Sequence, residues 1–259
     1  MRVVEAPEPV PSAPEGCHVA AGDRVACCVP YGGGADLLAL DPDRVLPAPD
    51  GLDLVHAAAM PMNCLTAEFA LATRAQLQAA ETVLVHGAAG GVGSACLQVA
   101  KAYGARTVAV VSTEEKADFA RSLGADHAVR VDGFLSEVRE LTDGAGADVV
   151  VDVVGGDLMT DSLRCLAPLG RLLVVGFTAG RIPEVRVNRL LLANIDVRGV
   201  GWGAYAMARP GYMRAQWEHV LEMVAAGVVD PPVGATCPVE EVARALADLE
   251  GARCWARPC

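Results

Sequence analysis

The residues best placed to do chemistry lie between Thr82 and Gly104, in the stretch TVLVHGAAGGVGSACLQVAKAYG. An apolar run, Val83-Leu84-Val85, breaks at a glycine-rich turn, and a helical pattern carried by Val92, Cys96, Val99 and Ala100 follows. Glycines between a strand and a helix let the backbone approach a phosphate closely, and the helix N-terminus turns free N–H groups and a positive dipole end toward the anion. The strict G-x-G-x-x-G spacing is not met. The nearest register is Ala88-x-Gly90-x-x-Gly93, with an additional Gly91. A tight turn that binds nothing would look similar. The preceding strand, the following helix and a second strand pattern after them favour a dinucleotide site, and hence redox chemistry carried by a nicotinamide.

The residues just beyond the other apolar runs bear on the same chemistry, because ligands of an open parallel sheet sit at the C-terminal ends of its strands. After Arg106–Val111 comes Ser112-Thr113-Glu114-Glu115-Lys116. A carboxylate at that tip would bind a ribose 2′-hydroxyl and select NAD. Hydroxyls followed by a cation suit a 2′-phosphate, so NADP is favoured over NAD. The same residues also read as a capped helix start, and both readings can hold at once. Val153-Val154-Gly155-Gly156 and Gly176-Phe177-Thr178 follow two further runs and would flank the nicotinamide end, although a lone aromatic such as Phe177 also suits a plain core.

These tips require an alternating scaffold. The pattern predicts strands at 82–86, 106–111, 127–130, 148–152 and 171–175, with another near 195–199. It predicts helices at 91–103, 114–123, 133–142, 157–166 and 210–227. Such alternation implies a parallel sheet with right-handed crossovers and helices on both faces. The segments DVVVD (148–152) and RLLVV (171–175) are apolar inside, as strands buried on both faces should be. Upstream, 1–16 reads as a proline-rich irregular lead-in. Arg24–Val29 and Leu37–Leu40 read as strands of a small β unit, and His56–Gln78 as helix interrupted near Pro61.

Composition narrows the partners. The chain has 259 residues, 53% of them hydrophobic, with only 4% aromatic, so the core must be mainly Ala, Val and Leu. The net charge of −11, with no basic cluster, argues against nucleic acid or anionic membrane as a partner. No apolar run approaches the ~20 residues of a membrane span. No apolar signal core precedes the β unit, so a cytoplasmic location is expected. The nine cysteines and five histidines are scattered and include no C-x-x-C pair, so no metal site is read and free thiols in a reducing compartment are expected. Cys96 and Cys165 read as small core residues.

Several longer segments carry a family likeness. AAGGVGSACLQVAK, RSLGADHAV, DVVVDVVGG, LRCLAPLGRLLVVGF and RIPEVRVNRLLLANIDVRGVGWGAY, with VAAGDRVACCVPYGGGADLLAL and AAAMPMNCLTAEFAL upstream, resemble the zinc-independent quinone oxidoreductase branch of the medium-chain dehydrogenase/reductase superfamily. The likeness runs from about Val19 to Leu249. It implies an α/β fold: a Rossmann-type doubly wound parallel sheet over 59–232, beside an incomplete GroES-like β domain over 1–58. Residues 233–259 would return toward the β domain. It also implies NADPH bound without zinc, hydride transfer to a quinone or activated alkene as the small-molecule electron acceptor, and a homodimer formed through the edge of the Rossmann sheet, near Ile195–Tyr205.

Matched position by position, the resemblance implies that Ala89, Gly90, Gly91, Val92 and Gly93 form the pyrophosphate loop. Ser112 and Lys116 would contact the adenosine phosphate. Thr66 would lie near the nicotinamide, and Val153 and Phe177 would touch the nicotinamide half. Val131 stands where relatives carry a tyrosine at the third strand tip. Relatives also begin with more β structure than Met1–Pro9 and close with a strand that Gly251–Cys259 does not resemble. On that comparison Cys27, Cys28 and Val29 are expected to be poorly buried, and cofactor binding is expected with more assurance than turnover. Two alternatives stay open, a non-catalytic NADPH-binding remnant and an enoyl reductase acting on acyl chains. No proton donor is identified in the sequence.

Overall fold

The computed structural model of the chain describes residues 18–234 and 236–250. The expectations for the proline-rich lead-in and for the Gly251–Cys259 tail lie outside the described residues.

A two-stranded antiparallel unit comes first, β1 (Val25–Cys27) against β2 (Val45–Pro47). The helix α1 (Leu54–Glu68) follows, capped by Asp53, whose Oδ1 accepts from the His56 N–H at 2.9 Å. It runs straight into a π-helical stretch, Phe69–Ala75. The alternating part is β3 (Thr82–His86), α2 (Gly91–Ala102), β4 (Arg106–Val111), α3 (Glu114–Ser122), β5 (His127–Arg130), α4 (Phe134–Leu141), β6 (Ala147–Asp152), α5 (Met159–Arg164), β7 (Leu166–Val174), α6 (Val187–Ala193) and β8 (Asp196–Gly199). The helices α7 (Trp202–Ala206), α8 (Tyr212–Ala225) and α9 (Val242–Glu250) complete it.

Six strands form one parallel sheet in the order β5-β4-β3-β6-β7-β8. The chain starts in the middle at β3, winds outward to β5, then returns past β3 to wind the other way. This is the doubly wound order, and its reversal point lies between β3 and β6. Strands buried on both faces need two cores, and the sheet has them. One packs α1, α2, α3 and α8 onto one face, with Leu65, Leu97, Ala120 and Trp217 inside. The other packs α4 and α5 onto the opposite face, through Phe134, Val138, Met159 and Leu163. Cys96 and Cys165 are fully buried, one in each core, as small apolar residues.

The small β unit is fastened to this body. The Trp217 indole N–H donates to the Pro47 carbonyl at 2.9 Å, and Leu46 and Cys28 join the first core. The expected exposure of Cys28 is therefore corrected: α1 and α8 cover that face of the hairpin, and burial pushes the Cys28 thiol pKa up. The second strand is also corrected. Leu37–Leu40 is irregular, with Leu37 and Leu38 exposed, and β1 pairs instead with Val45–Pro47. Apolar character alone does not make a strand where no neighbour completes the ladder.

The break expected near Pro61 is absent. Pro61 lies inside α1 and is buried, because Met60, Cys64 and Leu65 pack against the body and override the lost hydrogen bond. The short helices α6 and α7 were not anticipated, and β7 begins at Leu166, earlier than its apolar run. Within β7, Arg171 donates through Nη1 and Nη2 to the two Glu81 carboxylate oxygens at 2.7 and 2.6 Å, and through Nε to the Ala75 carbonyl at 2.9 Å. Among the described residues no helix is long and apolar enough to cross a membrane.

Candidate functional site

A cleft of about 380 Å³ opens across the C-terminal tips of β3, β4, β5 and β6, at the reversal point of the sheet. Its walls bring together His86, Ala89 and Gly90 from the β3–α2 turn, Ser112 and Lys116 after β4, Val131 after β5, and Val153 and Val154 after β6. Leu249 of α9 stands at its rim.

The β3–α2 turn is shaped by what glycine permits. Gly87 has φ of +62°, and a Cβ there would lie 2.8 Å from the Val153 side chain. The Gly90 N–H donates to the Gly87 carbonyl at 2.9 Å, closing the turn. Helix α2 then begins with Gly90 as N-cap and no side-chain cap. The N–H of Ser94, donating to the Gly90 carbonyl at 2.8 Å, makes the first intrahelical bond. The N–H groups of Gly91, Val92 and Gly93 precede it, so helix geometry leaves them open at the positive end of the dipole. Gly93 lies so close under the turn that a Cβ would be 2.2 Å from the Gly87 carbonyl oxygen. At Gly91 a Cβ would meet the Asn63 amide at 2.9 Å, so Asn63 of α1 borders the same helix end.

The tip of β4 is polar and cationic. The Lys116 ammonium donates to Ser112 Oγ at 3.2 Å, and Thr113 caps α3 by accepting from the Lys116 N–H at 3.2 Å. From the tip of β5, Arg130 Nη2 donates to the Ser112 carbonyl at 2.5 Å.

Two buried acceptors without donors stand at the ends of β3 and β6, on His86, which lines the cleft, and on Asp152, next to the cleft residue Val153. Ser162 Oγ donates to the Leu158 carbonyl at 2.8 Å, so the His86 Nε2 that lies 2.8 Å from it carries the imidazole proton and donates to the hydroxyl oxygen. His86 Nδ1 is then a bare acceptor. On β6, Asp152 Oδ1 accepts from the Val154 and Gly155 N–H groups at 2.9 and 2.8 Å, while Oδ2 has no protein partner. Burial drives the His86 pKa down, to about 4, against the opposing pull of the Asp152 carboxylate, so the ring is neutral. An unmet buried acceptor costs about 1–3 kcal/mol, which a ligand or solvent donor can recover.

Together these features suit a dinucleotide. The valines offer apolar walls to a base, the α2 N-terminus offers N–H groups to a pyrophosphate, and Ser112, Lys116 and Arg130 offer donors to a further phosphate. Of the residues expected from sequence, Ala89, Gly90, Ser112, Lys116 and Val153 line the one cleft. Gly91, Val92 and Gly93 stand behind its wall in the first turn of α2. Thr66 is buried on α1, and Phe177 is half-exposed and lies over Gly155, 3.0 Å from where a Cβ would be. His86, Asp152, Asn63 and Arg130 were not read from the sequence. For His86 and Asp152 a signal existed: each is a polar residue that closes a strand directly after three apolar ones.

The sequence pattern of the zinc-binding dehydrogenase family matches residues 91–226, over half the chain. The quinone oxidoreductase of Pseudomonas aeruginosa is 34% identical over 236 residues, covering 90% of this chain and 72% of its own. The chain belongs to the quinone oxidoreductase-like branch of the medium-chain dehydrogenase/reductase superfamily. Quinone oxidoreductase-like protein 2 of Bos taurus is 37% identical over 85% of this chain, which spans 64% of that relative's length. Among solved structures, a probable oxidoreductase from Mycobacterium abscessus superposes with a TM-score of 0.84 at 42% identity, over 94% of this chain and 74% of its own. The mycobacterial protein Rv1454c, solved in complex with NADPH, superposes with a TM-score of 0.75 at 30% identity, over 81% of this chain and 65% of its own. The enoyl reductase CurK is similar at a TM-score of 0.73 and 26% identity, over 83% of this chain and 64% of its own.

Proposed function

We propose that this chain is an NADPH-dependent oxidoreductase that delivers hydride to a quinone or an activated alkene. The observation that carries the reading is the cleft in which the β3–α2 glycine turn and the Ser112–Lys116 pair share one wall system. In this reading the N–H groups at the start of α2 bind the pyrophosphate, with Ala89 and the glycines keeping side chains out of its way. Ser112 and Lys116 hold the 2′-phosphate, and Val153, Phe177 and Thr66 flank the nicotinamide half. When bound, the reduced nicotinamide supplies the hydride. The protein orients the ring, keeps water from it and holds the acceptor in line. Reduction of a quinone by hydride takes its balancing proton from solvent, so no acid in the chain is required.

The likeness to an enoyl reductase supports a second reading, reduction of an acyl-chain enoyl group with the same cofactor residues. The edge position of β8, beside the exposed Val187, Leu191 and Leu192 of α6, supports a homodimer through that edge. Six unpaired cysteines among the described residues support work in a reducing cytoplasm.

The test is a fluorescence titration with NADPH, followed by addition of a naphthoquinone and a reading of NADPH oxidation. Saturable binding with oxidation supports the reading. Binding without oxidation of quinone or enoyl substrates favours a protein that binds the nucleotide without turnover. Absence of binding refutes both.

A further inference from the structure

We infer that Arg130 is a specificity-determining residue for the phosphate on the adenosine ribose, acting with Ser112 and Lys116; the inference rests on the NADPH reading above. The backbone sets it there. β5 is one of the two edge strands of the sheet and pairs in parallel with β4, with Val111 opposite Arg130. Val129 is buried on the face packed by α4. The next residue in an alternating strand projects to the other face, so Arg130 points to the side on which α3 packs through Ala117 and Ala120. That is the face where α3 begins, directly after Ser112.

The contact follows from this placement. Arg130 Nη2 donates to the Ser112 carbonyl at 2.5 Å, while the Lys116 ammonium donates to the Ser112 hydroxyl at 3.2 Å. Ser112 is thus held between two cations, one from α3 and one from the tip of β5. A guanidinium carries five N–H donors in a planar fork, and the carbonyl uses one, so the rest of the fork remains for an anion.

Charge gives the functional reason. Glu114 is paired with Arg121 at 3.0 Å. Lys116 and Arg130 are the cations that contact Ser112 at this tip. Lys116 alone would meet a phosphate monoester of charge about −1.5 to −2 with a single cation. Arg130 brings a second. A ribose bearing only a 2′-hydroxyl makes no such demand, so the arginine discriminates between the two nucleotides instead of strengthening both.

The experiment measures dissociation constants of NADPH, NADH, adenosine 2′,5′-bisphosphate and 5′-AMP for the intact chain and for Arg130→Gln, Arg130→Lys and Lys116→Gln. Arg130→Gln is expected to weaken NADPH and the bisphosphate roughly tenfold or more, the scale of a hydrogen bond between charged groups. NADH and 5′-AMP should stay within about twofold, since they lack the group being read. Arg130→Lys should restore part of the loss, and the salt dependence of NADPH binding should fall in Arg130→Gln. Equal weakening of NADPH and NADH would mean that Arg130 only pins the Ser112 carbonyl, and would overturn the inference. An unchanged NADPH constant in Arg130→Gln, with loss in Lys116→Gln, would overturn it while leaving the NADPH reading intact. An intact chain that binds NADPH no better than NADH would overturn both.

Discussion

Replacing Gly93 and Gly90 separately by alanine divides two jobs that glycine does in the β3–α2 turn. At Gly93 the new Cβ would lie 2.2 Å from the Gly87 carbonyl oxygen, 2.8 Å from the Gly87 carbonyl carbon and 2.9 Å from the Ala88 Cα. Ordinary van der Waals contact begins near 3.4 Å, so the overlap exceeds an ångström. All three atoms are backbone, and no rotamer change relieves them. Either α2 backs away from the sheet or the turn opens and strains the Gly90 N–H bond to the Gly87 carbonyl. Overpacking of this kind costs about 1–3 kcal/mol. At about 2–4 °C per kcal/mol for a chain of this size, the melting midpoint of Gly93→Ala should fall by roughly 2–12 °C. A shift of about 1 Å in the N–H groups at the start of α2 should weaken NADPH, and misplacement on that scale can slow a reaction by up to about a hundredfold.

Gly90→Ala behaves differently. Its backbone, with φ of −85° and ψ of 171°, suits alanine, and the nearest atom to its Cβ is the Gly87 oxygen at 3.3 Å. The fold should lose no more than about 0.5 kcal/mol. But Gly90 lines the cleft, so its methyl would stand where the ligand approaches. Differential scanning fluorimetry and NADPH titration on both variants separate the effects: Gly93→Ala loses stability and affinity, Gly90→Ala affinity alone. A Gly93→Ala protein that melts with the wild type, or a Gly90→Ala protein destabilised as much as Gly93→Ala, would refute the close-approach argument.

Three further outcomes are expected. Because burial holds the His86 pKa down, from 6.5 to about 4, the unfolded chain takes up a proton that the folded chain refuses. The contribution is therefore intact above pH 6.5 and is lost as pH falls from there toward about 4, by up to about 3 kcal/mol at 1.36 kcal/mol per unit; chemical denaturation across that range should show a flatter acid limb for His86→Asn. Arg171→Met should lower stability by about 1–3 kcal/mol in urea titrations, because it leaves the Ala75 carbonyl without this donor and the Glu81 carboxylate with the Gln78 N–H in place of the guanidinium fork. The thiols of Cys64, Cys96 and Cys165 are buried and pushed up to about 12, so maleimide labelling of the native protein, mapped by mass spectrometry, should spare these three until the chain unfolds.

Much of the Rossmann half was legible because its signals are local. Strands buried on both faces must be continuously apolar, and Val83–Val85, Val149–Val151 and Leu172–Val174 declare themselves without any knowledge of neighbours. The β unit was less legible, because a short strand exists only by virtue of its partner. Leu37–Leu40 is as apolar as Val45–Pro47, yet only the latter lies where β1 can pair with it. Pro61 misled for a related reason: its local cost is real, but burial of α1 against α2 and α8 outweighs it.

The candidate site divides in the same way. The glycine turn and the Ser112–Lys116 pair are each contiguous in the chain, so residue type and spacing alone raised the expectation of a nucleotide-shaped anion site and of a 2′-phosphate on its ribose. The contacts that complete it join distant residues. Arg130 reaches Ser112 across 18 positions, His86 meets Ser162 across 76, and Asn63 borders Gly91 only because α1 packs on α2. No periodicity records those meetings. Strand order and register bring the tips together, so the tertiary structure alone decided which polar groups face the cleft and which of them lack a partner there.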